Sequence, residues 1–141
     1  MKINTKSVHE QLGKDEILKD YQTAFMSRQL SLLGRKEVLN GKAKFGIFGD
    51  GKELAQIVMA RFFQPGDWRS GYYRDQSFMF AKGLCSYSQF FAQLYADTDP
   101  EREPQSAGRQ MNCHFSTHIL DAKGNWLDQT EKCHSTSDIS P

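Results

Sequence analysis

The chain has 141 residues, a formal net charge of +1 and an apolar fraction of 38%. This length is typical of one domain with its own core, and the small charge gives no electrostatic reason to expect binding to nucleic acid or an anionic membrane. No apolar run approaches the ~20 residues of a membrane span, and the amino terminus lacks the apolar region of a signal peptide. Three cysteines make an odd count, which favours free thiols and a cytoplasmic location over a disulfide framework.

The first helix is predicted after a polar segment, residues 1–14, which we interpret as a loose leader. From Asp15 onward apolar residues recur at helical spacing, and acidic residues occupy the first turn, where the helix dipole favours them. We expect Gly34 to end or weaken this helix. Phe25 and Met26 are expected to pack in the core.

A second helix is predicted over 52–63. Asn40 and Gly41 indicate a turn before it, and residues 45–51 are apolar but interrupted by glycine, so they are expected to be extended or looped. Asp50 is expected to be the N-cap of the second helix, because a carboxylate can accept hydrogen bonds from the free amides of a first turn. Several residues of this helix are spaced along one side: Leu54, Ile57, Val58, Arg61 and Phe62.

Two shorter helices follow a turn at 64–67. Residues 68–74 are expected to be irregular or extended, and 77–84 short and helical. Ser86 is predicted to be the N-cap of a fourth helix over 87–96.

The rest of the chain is predicted to be loop-rich. Residues 97–108 contain two prolines and alternating charges, which is typical of a solvated loop. Residues 109–135 indicate irregular structure with short strands around a hairpin-like turn at 122–125. The predicted fold is therefore mainly α with irregular segments and short strands. After the leader it divides into a helical region, 15–96, and a loop-rich segment, 97–141.

Self-association is expected from the fourth helix, where Phe90 and Phe91 are adjacent. We expect that both rings cannot turn to the same small core, and monomers rarely expose apolar patches beyond a few hundred Å². The chain is therefore predicted to expose an apolar patch or to form a homo-oligomer. The low apolar fraction also suits a chain whose apolar faces contact a partner, since ordinary domains reach ~45–50% on a count that includes glycine.

Two stretches carry candidate functional residues. The first is Gly-Tyr-Tyr-Arg-Asp-Gln, residues 71–76, in which Arg74 offers a planar donor fork suited to phosphate or carboxylate between aromatic neighbours. The alternative is that Arg74 forms an ordinary ion pair with Asp75 at the surface. The second is Gly-Arg-Gln-Met-Asn-Cys-His, in which His114 can donate or accept a proton near neutral pH. Its alternative is a structural, hydrogen-bonded histidine.

In this order and at this separation, the two motifs resemble the alpha-type subunit of thiamine-diphosphate-dependent 2-oxo acid dehydrogenases. These are the decarboxylating components of the pyruvate and branched-chain 2-oxo acid dehydrogenase complexes. The resemblance covers roughly residues 21–141. It implies oxidative decarboxylation of a 2-oxo acid, acyl transfer to lipoyl groups, and thiamine diphosphate and magnesium as cofactors. It also implies a beta-type subunit or fused beta half and a lipoyl-acyltransferase core as partners. The spelling of the motifs favours the branched-chain, 2-oxoisovalerate type.

The resemblance also implies roles for particular residues. Tyr73 and Arg74 match a Tyr-Arg pair whose arginine contacts the diphosphate, and His114 matches an active-site histidine that helps order a loop over the cofactor. Ser140 matches a serine whose neighbours touch the pyrimidine ring. Residues 112–114 are Asn-Cys-His where the family more often has Pro-x-His, which leaves the local backbone open.

The family's metal site opens with Gly-Asp-Gly and is completed by an asparagine some two to three dozen residues later. Residues 49–51 spell Gly-Asp-Gly, but after Asn40 the next asparagines are Asn112 and Asn125. We therefore assign no metal ligand. We expect an amino-terminal fragment of the α/β thiamine-diphosphate-binding fold that is inactive by itself and binds no cofactor.

The alternative is a non-catalytic helical or zinc-stabilised interaction domain. Its ligands would be four soft or borderline donors: Cys113, His118, Cys133 and His134. The Cys-x2–4-Cys pairing of structural zinc sites is missing, which makes this the weaker interpretation.

Overall fold

The computed structural model describes residues 13–136. Within them the elements in chain order are α1 (Lys14–Leu39), α2 (Glu53–Phe62), β1 (Trp68–Ser70), α3 (Gln76–Ala81), α4 (Tyr87–Leu94) and β2 (His134–Thr136). The prediction of a mainly α chain with short strands is confirmed for this part, and its place within a larger α/β fold stays a prediction. Most of the expected leader and Ser140 lie outside the described residues. No helix in 13–136 is long and apolar enough to cross a bilayer.

The long helix α1 begins and ends where the local chemistry allows. Glu16 accepts a hydrogen bond from the amide of Gly13 at 3.1 Å, so an acidic side chain satisfies a free donor in the first turn. At the other end the chain turns at Asn40, and Gly41 takes a φ of 73°, which costs glycine little. The predicted turn at Asn40 and Gly41 is confirmed.

The predicted end of α1 at Gly34 is wrong, because the helix continues through it. Gly34 is buried against the ring of Phe48, and a Cβ at this position would overlap the ring carbons. The glycine therefore allows a close approach and does not break the helix. Phe25 is half-exposed, so its expected place in the core is also wrong.

The two sides of α1 differ in an unexpected way. The inner face, which is buried, consists mainly of small or polar residues: Ser27, Leu30, Ser31, Gly34 and Glu37. The outer face carries large apolar side chains that are exposed within the described chain: Ile17, Leu18, Tyr21, Phe25, Leu32 and Leu39. The apolar periodicity thus marks a side that does not face this chain's core.

Helix α2 confirms the second predicted helix within one residue at each end, but its predicted N-cap is wrong. Asp50 is not the N-cap, which is Lys52 and has no side-chain hydrogen bond. Asp50 instead accepts from Arg35 at 2.7 Å. Glu53, the first helical residue, accepts from Arg28 at 2.6 and 2.9 Å and from the amide of Gly51 at 3.0 and 3.1 Å.

The predicted side of α2 is mostly exposed. Of its residues only Ile57 is buried, while Leu54, Val58 and Phe62 are exposed. The buried face instead includes Glu53 and Gln56.

Helices α3 and α4 carry the centre of the core. Phe78 and Met79 of α3 and Phe90 of α4 are fully buried, and Phe91 packs partly buried against the same cluster. The argument that Phe90 and Phe91 could not share one core is therefore wrong. Ser86 caps α4 as predicted, accepting from the amide of Gln89 at 3.2 Å.

A buried polar hub ties α1 to α3. Gln76 donates to the carbonyl of Ser27 at 3.0 Å and to the hydroxyl of Ser31 at 2.9 Å, and accepts from the amide of Gly49 at 3.1 Å. The hydroxyls of Ser27 and Ser77 lie 2.6 Å apart. Small inner-face residues thus allow α3 to approach α1, and glutamine satisfies the polar groups buried between them.

The strands β1 and β2 form a parallel pair in which Trp68 faces His134. β2 was not predicted individually, since the polar run His-Ser-Thr has no apolar alternation to indicate a strand. The hairpin-like turn is confirmed by a bridge between Leu120 and Trp126.

The loop at 97–108 is confirmed, but its full solvation is wrong. Glu103 is completely buried and accepts from Ser106 and from the amide of Gly108 at 2.9 Å. Its carboxylate fixes the loop just before the second motif.

Candidate cofactor-binding site

The first motif forms a tight turn between β1 and α3. The amide of Gly71 donates to the carbonyl of Thr136 at 2.6 Å, which anchors the start of the turn to β2. The rings of Tyr72 and Tyr73 lie 4.2 Å apart, and the guanidinium carbon of Arg74 lies 4.9 Å from the Tyr73 ring centroid and 6.0 Å from that of Tyr72. Cation–π attraction at these distances orients the guanidinium along the aromatic pair.

Asp75 does not pair with Arg74, so the structure does not show the alternative of an ion pair between these two neighbours. Its carboxylate forms an ion pair with Arg69 of β1 and accepts from the amide of Tyr72 at 2.9 Å. Within residues 13–136, Arg74 takes part in no ion pair. The half-buried guanidinium therefore has aromatic contacts but no carboxylate in the described part of the chain.

The backbone of Arg74 is fixed from the other side. Its carbonyl accepts from the side chain of Gln56 at 2.7 Å, and the same carbonyl packs so closely on Gly49 that a Cβ there would collide with it. In this structure the Gly-Asp-Gly stretch thus contributes a close contact under the turn. Asp50, the aspartate of this stretch, forms an ion pair with Arg35.

His114 lies beside the same turn and is buried, with 5% of its surface exposed. Its ring centroid is 6.2 Å from that of Tyr73. The structure thus brings three predicted site residues together: the Arg74 guanidinium contacts the Tyr73 ring, and the His114 ring lies next to the same ring. Ser140, the fourth, lies outside the described residues.

The backbone before His114 is held by a clamp from α4. Gln93 accepts from the amide of Cys113 at 2.6 Å and donates to the carbonyl of His114 at 2.9 Å. Cys113 has a φ of 65°, a left-handed conformation that is uncommon for a residue with a side chain. The side chain of Asn112 also accepts a hydrogen bond from the amide of Ile47 at 3.1 Å and donates one to its carbonyl at 3.0 Å. These bonds show how the sequence accommodates Asn-Cys-His at 112–114 where the family more often has Pro-x-His.

The nearby thiols are not suited to nucleophilic chemistry. Burial raises the pKa of Cys113 well above its usual value, and burial with the charge of Glu103 raises the pKa of Cys85 to about 12. Since only the thiolate is a good nucleophile, both cysteines serve packing at neutral pH. His114 is the proton-transfer candidate of this cluster.

The donor set around Arg74 fits an anion better than a metal ion. A guanidinium without a carboxylate partner suits a diphosphate group through charge-assisted hydrogen bonds. In contrast, residues 13–136 contain no group of three or more His, Cys, Asp or Glu side chains arranged to hold a metal.

The four candidate zinc ligands are engaged in separate places. His118 contacts the carbonyl of Pro104 at 2.5 Å, and Cys133 donates to the carbonyl of Gln64 at 3.1 Å. His134 stacks on Trp68 with centroids 4.6 Å apart. Cys113 lies in the core cluster. The described residues give the zinc interpretation no support.

Sequence reasoning missed the residues that support this site. Arg69, Gln56 and Gln93 were assigned no role, although each contacts the turn or the segment before His114. Arg69 lies close to the motif, and its proximity to Asp75 was the one available signal. The glutamines are polar residues on helices and carry no pattern that would distinguish them.

Comparison with known proteins defines the class. The model of the family described as dehydrogenase E1 component matches residues 21–135, and the chain belongs to that family. This confirms the resemblance to the alpha-type subunit of 2-oxo acid dehydrogenases. The family implies use of thiamine diphosphate.

A curated relative agrees with this assignment. The pyruvate dehydrogenase E1 component subunit alpha of Acholeplasma laidlawii is 29% identical over 82 residues, which cover 58% of this chain and 24% of the relative. The chain thus spans about a quarter of the length of the curated relative it matches.

Proposed function

We propose that this chain forms the part of an alpha-type 2-oxo acid dehydrogenase subunit that contacts the diphosphate of thiamine diphosphate. The observation that carries the proposal is the Arg74 guanidinium, which lies on the Tyr73 ring without a carboxylate partner in residues 13–136. A diphosphate needs fixed cationic donors, and arginine stays charged at every physiological pH. When bound, thiamine diphosphate supplies the carbanion chemistry of the reaction.

The residues of this chain have supporting tasks. Arg74 donates to the diphosphate and Tyr73 orients the guanidinium. His114, held by the Gln93 clamp, is the group that holds or moves a proton beside them. Ser140 completes the set through the family resemblance.

The reaction of the whole protein is oxidative decarboxylation of a 2-oxo acid with acyl transfer to lipoyl groups. Its proposed partners are a beta-type subunit or fused beta half and a lipoyl-acyltransferase core, and magnesium accompanies the cofactor. A branched-chain substrate is proposed from the motif spelling. Pyruvate is the alternative, because the relative named above is a pyruvate dehydrogenase subunit. Since the chain spans about a quarter of that relative, the proposal concerns the whole protein, and the 141-residue chain is proposed to be inactive alone.

The test is Arg74→Lys in the full enzyme, with calorimetric titration of thiamine diphosphate. Lysine keeps the charge but loses the planar fork, and a charged hydrogen bond contributes roughly 1.5–3 kcal/mol, so affinity should fall about ten- to hundredfold. A matched control is Arg102→Lys, since Arg102 pairs with Asp97 and Asp99 at an exposed site. Equal affinity of the wild type and the Arg74→Lys enzyme would contradict the proposal.

A further inference from the structure

A buried ion pair lies directly beneath the turn that carries Arg74. The Arg69 and Asp75 side chains are only 7% and 18% exposed. The Arg69 guanidinium carbon lies 4.5 Å from the centroid of the Phe78 ring, and Nη2 lies 3.9 Å from the sulfur of Met79. The pair is thus enclosed by the core side of α3.

This pair is not optimised for stability. Nε of Arg69 is buried and has no hydrogen-bond partner in the described part of the chain, and an unsatisfied buried donor is unfavourable. Buried ion pairs in general contribute little net stability, because the cost of desolvation opposes the attraction. Net stability alone therefore does not account for the pair.

The position of Asp75 suggests a role for the pair. Asp75 directly follows Arg74 in the chain, so Arg74 is the neighbouring cation with which a carboxylate released from Arg69 would pair. In the structure that carboxylate is instead engaged by Arg69 and by the amide of Tyr72. A carboxylate paired with Arg74 would compete with any anionic ligand for the same donors.

We propose that Arg69 is a positioning residue that sequesters Asp75 and so keeps Arg74 available to an anionic ligand of the diphosphate class. Arg69 acts through Asp75 in two ways. It removes a competing charge from Arg74, and it orients the carboxylate that fixes the Tyr72 amide and hence the turn. This inference rests on the proposed function of Arg74, and its test separates the two.

The ligand-free readout is the side-chain Nε–Hε resonance of Arg74 in the 141-residue chain, whose mass of 16.1 kDa suits solution NMR. The affinity readout is calorimetric titration of inorganic pyrophosphate into the full enzyme, because the chain alone is expected to bind no cofactor. The variants are Arg69→Gln, Arg69→Gln combined with Asp75→Asn, and Arg69→Lys. Arg102→Gln is the matched control, because it removes an arginine that pairs with neighbouring aspartates at an exposed site.

In Arg69→Gln the released Asp75 should pair with Arg74. The Arg74 resonance should therefore shift before any ligand is added, and pyrophosphate affinity should fall at least about tenfold, or about 1.4 kcal/mol. Adding Asp75→Asn should reverse the shift and restore affinity to within about threefold of wild type. Arg69→Lys keeps a cation for Asp75 and should bind pyrophosphate nearly as well as wild type.

A merely structural Arg69 gives the opposite pattern. In that case the double variant, which loses both members of a buried pair, binds no better than Arg69→Gln, and this result overturns the inference. An unshifted Arg74 resonance in Arg69→Gln overturns it as well, without reference to any ligand.

Two further outcomes complete the test. If Arg69→Gln does not fold, Arg69→Lys decides: a tenfold loss of affinity that Asp75→Asn does not reverse overturns the inference. If Arg74→Ala leaves wild-type affinity unchanged, the proposed function of Arg74 fails, while the ligand-free shift still decides the role of Arg69.

Discussion

The inner and outer faces of α1 are built in opposite ways. The inner face buries serines, a glycine and a glutamate, whereas the outer face exposes large side chains such as Tyr21, Phe25 and Leu32. Usually the apolar stripe of a helix marks the side that faces the core. Here it does not, and exposed apolar patches mark interaction surfaces in many proteins. Apolar periodicity thus identifies a surface to be covered, and does not show that the same chain covers it.

The inner face has a specific purpose in supporting the candidate site. Because Ser27 and Ser31 are small, Gln76 reaches both of them and also the amide of Gly49. Gly49 in turn lies against the carbonyl of Arg74. The polar inner face therefore connects the longest helix to the turn, and this connection explains why so much polarity is buried there.

The largest expected difference between the two faces comes from a matched pair of leucines. Leu30 on the inner face is 6% exposed and Leu32 on the outer face is 47% exposed. Leu30→Ala should lower the free energy of unfolding by about 2–5 kcal/mol, because it leaves a cavity in the core cluster. Leu32→Ala should change it by about 0.5 kcal/mol, as for most surface positions. Urea denaturation of both variants measures the difference, and equal losses would show that the outer face is covered within this chain or its oligomer.

An intermediate change in the free energy of unfolding is expected for Gly34→Ala, and its sign is opposite to the usual one. In most helix interiors, replacing glycine by alanine stabilises a protein by roughly 0.5–1 kcal/mol. Here the new methyl group meets the Phe48 ring, so Gly34→Ala should destabilise by about 1–3 kcal/mol through overpacking. Thermal unfolding in a Phe48→Ala background supplies the control. There Gly34→Ala should become stabilising, and a loss of the same size in both backgrounds would show that Phe48 is not the cause.

The helices were predictable because their signals are local. Ser86 caps α4, and Gly41 turns the chain after α1, as expected from side-chain chemistry within a few residues. Which face each helix buries was not predictable, because it depends on residues distant in sequence. For α1 the decisive contacts are with Gln76 and Phe48, and the buried groups are polar where periodicity leads one to expect apolar ones.

The candidate site shows the same limit. The two motifs indicated Arg74 and His114, and the structure brings both to Tyr73. Their supports were missed for a physical reason: Gln93 acts across 20 or 21 residues of sequence and bonds to backbone atoms, which leaves no side-chain pattern to recognise. The pairing of Asp75 with Arg69 was a choice between two nearby arginines, and only three-dimensional packing resolves it.

The smallest expected effect concerns the charged residue of the inner face. Tyr95, just after α4, donates a hydrogen bond to Glu37 at 2.7 Å. This bond is the main cause of a lowered pKa for Glu37, with burial acting in the opposite direction and Lys42 adding a smaller lowering effect. A carboxyl group whose pKa is lowered by folding stabilises the fold above its unfolded pKa, which is about 4.3 for glutamate, and this contribution is lost as the pH falls through the folded value.

Tyr95→Phe should therefore reduce stability modestly at neutral pH, and the difference from wild type should shrink in acid. The reason is that a protonated Glu37 accepts only a neutral hydrogen bond from Tyr95, which is about half as strong as a charge-assisted one. Denaturant midpoints of both proteins across the acid range measure this change. Tyr87→Phe is a suitable control, because Tyr87 packs edge-to-face on Phe80 in the core cluster, and its effect should not vary with pH in this range. If the Tyr95→Phe difference persists unchanged below the folded pKa of Glu37, the tyrosine stabilises the fold through packing and not through its hydrogen bond to the Glu37 carboxylate.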